Sequence, residues 1–149
     1  MGRTEFRFCK ASGTAVAQSK ATAADAAAAD IAGQLPPLGL AMLLVFVSPC
    51  YDPHAFIAAL AGELGRIPVF GCTTAGEMAP DGWGDNGVVA IGFSAEDFAV
   101  VAQPLPHLRE FRVEDGRRIG SELRQQLARL PGEPAEAFGL LLIEGLCRR

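Results

Sequence analysis

Apolar positions along this chain change spacing in a regular order, and each spacing predicts an element. Leu38 to Val47 is an almost unbroken hydrophobic run, the pattern of a strand covered on both faces. Ser48-Pro49-Cys50-Tyr51-Asp52-Pro53 interrupts it. Asp52 can accept hydrogen bonds from the first helical amides, and Pro53 suits the first helical position, where its missing donor costs little. A helix is therefore expected from Pro53, with Phe56, Ala59, Leu60 and Leu64 as its apolar stripe and Gly65 as its stop. Ile67 to Phe70 then reads as a second strand. Strand, helix, strand in that order predicts a right-handed βαβ unit with a parallel strand pair.

Outside this unit the pattern is also legible. Thr4 to Cys9 alternates polar and apolar, as a half-buried strand does. Ala21 to Ala32 is rich in alanine and reads as a helix, ended by Gly33 and the Pro36-Pro37 pair. Val88 to Phe93 and Phe98 to Leu105 are β-rich runs joined by Ser94-Ala95-Glu96-Asp97, a length suited to an antiparallel hairpin. Ile119, Leu123, Leu127 and Leu130 recur at helical spacing within Glu114 to Leu130, and Phe138 to Ile143 has the composition of one more buried strand. The expected fold class is α/β: a mixed sheet with flanking helices, combining the βαβ unit with an antiparallel hairpin. With 149 residues and 50% hydrophobic content, a single domain spanning residues 1–149 is expected. A core strand this near Arg149 reads as the first half of a larger two-domain fold.

Charge and targeting patterns narrow the function. A net charge of −4 without a basic block argues against binding nucleic acid, which needs clustered Lys and Arg. Residues 1–12 carry Arg3, Glu5, Arg7 and Lys10 with no apolar segment behind them, unlike a signal peptide, and Phe6 breaks the myristoylation pattern after Gly2. The longest apolar run is about half the length of a membrane span. A cytoplasmic protein with no membrane partner is expected. Cys9, Cys50, Cys72 and Cys147 include no C-x-x-C pair, so a redox centre or zinc ribbon is not indicated, and free buried thiols are expected.

Candidate chemistry concentrates after the two parallel strands. Gly71-Cys72-Thr73-Thr74-Ala75-Gly76-Glu77 places two glycines and two hydroxyls in a turn directly after an apolar strand. Glycine there lets backbone amides face a ligand, although the same residues also make an ordinary tight turn. Parallel pairing would put this loop beside Ser48 to Tyr51 at one rim of the sheet. The expected ligand pocket uses Ser48, Tyr51, Cys72, Thr73, Thr74 and Glu77, with Gly71 and Gly76 allowing close backbone approach. Glu77 would meet a ligand ammonium, and Thr73 and Thr74 a carboxylate.

Two phosphate motifs fail on context. Gly82 to Gly87 spells G-x-G-x-x-G but opens a strand, where a dinucleotide site opens a helix. Gly71 to Gly76 has P-loop glycine spacing but continues Glu77-Met78 in place of Lys and Ser/Thr. Cys50, just before a helix N-terminus and one turn from His54, is the natural cysteine-nucleophile alternative. Cys50 and His54 also have metal-ligand separation, but no third or fourth ligand lies nearby in sequence, so no metal is expected. Trp83, among glycines, either caps a pocket or anchors the connection to the core.

Three segments together carry a family resemblance: Val45-Phe46-Val47-Ser48-Pro49, then Gly71 to Met78, then Gly87-Val88-Val89-Ala90-Ile91-Gly92-Phe93. Order and spacing resemble the N-terminal domain of the FIST family of intracellular sensory proteins. Leu140 to Leu146 is similar to the strand preceding that family's second half, with Glu144 where aspartate is usual. The resemblance implies a non-catalytic sensory domain for small ligands such as amino acids. Its implied partners are signalling proteins: histidine kinases, chemoreceptor domains and cyclic-dinucleotide enzymes. It also implies that the C-terminal FIST half is absent from this chain. One family branch is described as a haem-binding nitric oxide sensor. For that alternative His54, His107, Tyr51 and the cysteines are the conceivable axial ligands.

Overall fold

A computed structural model of the chain describes residues 13–35, 39–79, 82–131 and 136–143. The expected Thr4 to Cys9 strand, Cys9, Cys147 and Glu144 lie outside them. The chain divides into two compact units, residues 1–98 and 99–149.

The first unit is an α/β fold. Its elements in order are β1 (Thr14–Ser19), α1 (Ala24–Gln34), β2 (Leu40–Val47), α2 (Pro53–Leu64), β3 (Val69–Thr73), β4 (Glu77–Ala79), β5 (Gly82–Gly84) and β6 (Val88–Ser94). Four strands form a mixed sheet in the order β1-β6-β2-β3, while β4 and β5 pair as a separate antiparallel ribbon. β2 and β3 run parallel, with Val45 opposite Gly71 and Val47 opposite Thr73. β6 lies antiparallel to both β1 and β2.

Local chemistry sets the elements as expected around α2. The Asp52 carboxylate accepts the amides of His54 (2.9 Å) and Ala55 (3.4 Å), Pro53 opens the helix, and Gly65 closes it at φ 71°. That positive φ favours glycine over any residue with a Cβ. α1 has no side-chain cap and relies on alanine propensity and burial, with Ala27, Ala28 and Ile31 sealed from solvent. Phe56 and Leu60 of α2 join these residues and Leu43, Val45 and Val47 of β2 in one core. Both helices therefore cover the same face of the sheet. Burying Phe56 completely contributes on the order of 2–3 kcal/mol.

Three expectations require correction. Phe98 to Leu105 forms no strand, because both sides of β6 are already taken by β1 and β2 and a hairpin partner has nowhere to pair. Phe98 instead packs edge-on to Phe93 at 5.2 Å. Phe138 to Ile143 is neither a strand nor buried; its large side chains are 38% to 74% exposed. Gly71, Cys72 and Thr73, read as turn residues, are ladder residues of β3, so the turn begins at Thr74.

The second unit contains a short 3-10 turn (Leu108–Glu110) and α3 (Val113–Leu127), slightly shorter than expected. The Arg112 amide donates to Asp115 at 3.0 Å, and Ile119 is the buried residue of the helix. No helix of the described residues is long and apolar enough to cross a membrane.

Candidate functional site

The parallel pair brings the two expected loops together. The Thr74 amide donates to the Val47 carbonyl at 3.0 Å, which extends the β2–β3 ladder by one step and sets the turn after β3 against Ser48. The Ser48 amide in turn donates to Gly87 at 2.9 Å, so the start of β6 borders the same rim. Ser48 is buried, and its hydroxyl faces the Cys50 amide at 3.5 Å. Tyr51 turns inward beside Phe56 and donates its hydroxyl to the Ala21 carbonyl, with the Asn86 carbonyl at 3.4 Å. It locks three chain crossings at one end of the sheet.

Glu77 organises the turn itself. It is buried, its Oε1 accepts the Thr74 hydroxyl, and its Oε2 accepts the Gly87 amide at 3.2 Å. A buried carboxylate needs such donors. These contacts join β4 to the start of β6. Gly87 was legible only as the opening of a strand; its pairing with Glu77 spans ten residues and carries no local signal.

The remaining expected residues are less enclosed. Gly71, Cys72 and Thr73 are exposed along β3, and Gly76 is half-buried. Gly71 serves the sheet: a Cβ there would overlap the Val45 carbonyl oxygen of the neighbouring strand. A slot of about 10 Å³ lies beside this rim, lined by Glu77, Gly87, Ser19 and Lys20 among others. That is about the room one water needs. Glu77 is the expected site residue that lines it.

Burial raises the Tyr51 phenol above its ordinary 10.0, and negative charge on Cys50, Glu77 and Asp30 adds to the shift. The folded state thus holds this proton more tightly than the unfolded chain. Its contribution is complete below the unfolded value and declines as pH rises through the folded one. Wild-type urea midpoints are expected to fall more steeply above about pH 10 than those of Tyr51→Phe, which itself should lose about 1 kcal/mol at neutral pH. Parallel pH curves for the two chains would contradict this assignment.

Cys50 and Cys72 are free and exposed, which corrects the expectation of buried thiols. No hydrogen bond joins Cys50 to His54, and both side chains face solvent. Among the described residues, no group of three or more His, Cys, Asp or Glu side chains is placed to hold a metal ion. The second unit has its own recess of about 260 Å³, lined by Gln103, Glu122, Gln125, Gln126, Arg129 and Ala102. Gln103 donates to Glu122 at 2.8 Å and Arg118 does so at 2.9 Å. Those bonds, Gln103's foremost, hold the Glu122 carboxyl below its ordinary range. The sequence offered no periodicity or motif that singled out this recess.

The profile of the FIST N domain matches residues 41–149, which include the whole rim from Ser48 to Gly87. The chain belongs to the FIST N domain family. This makes it a sensory signalling domain. No curated protein and no solved structure matches the chain. The matched stretch contains the βαβ unit, the Glu77 turn and β6, and leaves β1 and α1 outside.

Of the residues named as conceivable haem ligands, Tyr51 is already engaged within this FIST N domain. The Tyr51 hydroxyl is committed to backbone carbonyls and its proton is held above the ordinary range, whereas a tyrosine axial ligand is a phenolate. His54 points to solvent from the first turn of α2.

Proposed function

We propose that this FIST N domain senses a small, amino-acid-like ligand at the rim between Ser48–Tyr51 and Cys72–Glu77, and signals without catalysis. The partner is a histidine kinase, a chemoreceptor domain or a cyclic-dinucleotide enzyme, and the protein works in the cytoplasm. The observation that carries the reading is the Thr74 to Val47 hydrogen bond, which sets both loops side by side above a buried carboxylate. Glu77 accepts the Thr74 hydroxyl on one oxygen and the Gly87 amide on the other, and an ionised carboxylate accommodates about four donors. The slot beside Glu77 has room for a group about the size of one water, so a ligand ammonium entering it would find acceptor capacity there, while the exposed Thr73 hydroxyl is available to a carboxylate. Because Glu77 also holds Gly87, a ligand that pulls on it shifts the start of β6, which is a route from site to sheet.

Thermal unfolding of the full chain with each common amino acid at about 1 mM tests this. A ligand present at about a hundred times its dissociation constant adds about 2.7 kcal/mol, a rise of several degrees. Thr73→Val is expected to remove that rise while leaving the ligand-free midpoint unchanged. No rise with any amino acid, or a rise that Thr73→Val retains, would reject the site. Selective alkylation of Cys50 or Cys72 at neutral pH, with a turnover lost on mutation, would favour the cysteine-enzyme reading instead.

A further inference from the structure

The two edges of the four-stranded sheet are treated differently. At the β1 edge, the Gln34 side chain acts as a substitute strand: its Nε2 donates to the Gln18 carbonyl at 2.7 Å and its Oε1 accepts the Gln18 amide at 3.0 Å. That blocks the outward backbone groups of Gln18. Natural sheets guard their edges by such means, or with charge, proline or bulges.

The β3 edge has none of these guards. Residues Val69-Phe70-Gly71-Cys72-Thr73 contain no charge and no proline, pair with β2 in uninterrupted register, and have no strand on their outer side among the described residues. Which backbone groups point outward follows from the ladder. The Pro68 carbonyl accepts from Leu43 and the Thr74 amide donates to Val47, so even-numbered residues of β3 face β2. Alternation then turns the N–H and C=O of Val69, Gly71 and Thr73 away from the sheet.

We infer that this edge is a self-association surface, on which β3 of a second copy pairs antiparallel about a two-fold axis at Gly71. That register sets Gly71 against Gly71 and Val69 against Thr73 of the other copy as hydrogen-bonded pairs, giving six ladder bonds. Phe70 then faces Cys72 across the axis, large against small, and Val69 meets another β-branched side chain. No charged side chain opposes another. A two-fold operation closes the assembly at two copies, making one eight-stranded sheet. A joint of five residues per strand is small for a specific interface, so weak association that depends on concentration is expected. The inference stands on the strand geometry alone and not on the ligand reading, although the edge shares Cys72 and Thr73 with the proposed ligand site.

Sedimentation velocity on the full chain from about 1 to about 200 µM should show a monomer converting to a dimer. Amides of Val69, Gly71 and Thr73 should gain hydrogen-exchange protection over the same range. Thr73→Pro removes an outward amide, and Cys72→Lys places a charge on the edge; each should weaken association at least about tenfold. Phe70→Cys sets a thiol opposite Cys72 of the second copy in a non-hydrogen-bonded pair, whose Cα separation of about 4.5 Å permits a disulfide. Diamide should oxidise the two thiols to a covalent dimer, and adding Cys72→Ser should abolish it. A monomer at every concentration overturns the inference, whether those amides exchange freely or are protected within one chain. So does growth beyond a dimer, or a dimer that both edge variants leave intact.

Discussion

A Gly71→Ala chain is expected to lose about 3 kcal/mol of stability, at the upper end of the usual cost of forcing extra volume into a packed region. The added methyl group would overlap the Val45 carbonyl oxygen and approach the Val45 carbonyl carbon at 2.9 Å and its amide nitrogen at 3.2 Å. These are backbone atoms of the neighbouring strand, so no rotamer change relieves the overlap. β3 must move away from β2, which stretches the register that carries Thr74 to Val47. Urea unfolding followed by circular dichroism would show the midpoint fall. The result also separates two roles for the same glycine. Had Gly71 served only to admit a ligand, alanine would abolish ligand stabilisation and leave the free protein unaffected. A change below about 0.5 kcal/mol, the scatter of ordinary surface substitutions, would show that the strands relax around the methyl group and that the sheet does not demand glycine.

Glu77→Ala is expected to cost about 3 kcal/mol, because it leaves the Gly87 amide and the Thr74 hydroxyl without their acceptor. Hydrogen bonds to an ionised group are the stronger kind, and the site is buried. Glu77→Gln keeps one carbonyl oxygen and should lose only about 1 kcal/mol. Exchange of the Gly87 amide, slow in the wild type, should accelerate markedly in the alanine variant while core amides of β2 change only with global stability. Equal losses for alanine and glutamine would mean that the negative charge matters more than the acceptor geometry.

Both variants probe contacts with partners distant along the chain, which local patterns do not disclose. Asp52, Pro53 and Gly65 announced α2 from both ends, because capping depends on residues within a few positions of each other. The unbroken run of β2 announced a central strand, since a strand covered on both faces has to be apolar on both. Parallel pairing of β2 and β3 followed from a helix lying between them, and with it the adjacency of the two loops. β1 carries little signal in the sequence: Thr14 to Ser19 is paired throughout its length, yet its inward residues, Ala15 and Ala17, are too small to give a strong period-two pattern.

Residue pattern was therefore enough for the family, the βαβ unit, the helix limits of α2 and the cluster of polar residues after β3. All of these are local patterns or fixed-length combinations of them. Tertiary structure alone decided that β6 would be flanked on both sides and so exclude Phe98 to Leu105 from the sheet. It also decided that Gly71 makes room for Val45, that Glu77 faces inward to Gly87, and that Gln34 covers one sheet edge while no strand of the described residues covers β3. Each of those outcomes rests on a partner distant along the chain. A residue's own pattern states how much apolar surface or how many hydrogen bonds it has to satisfy, and only the packed chain settles which atoms satisfy them.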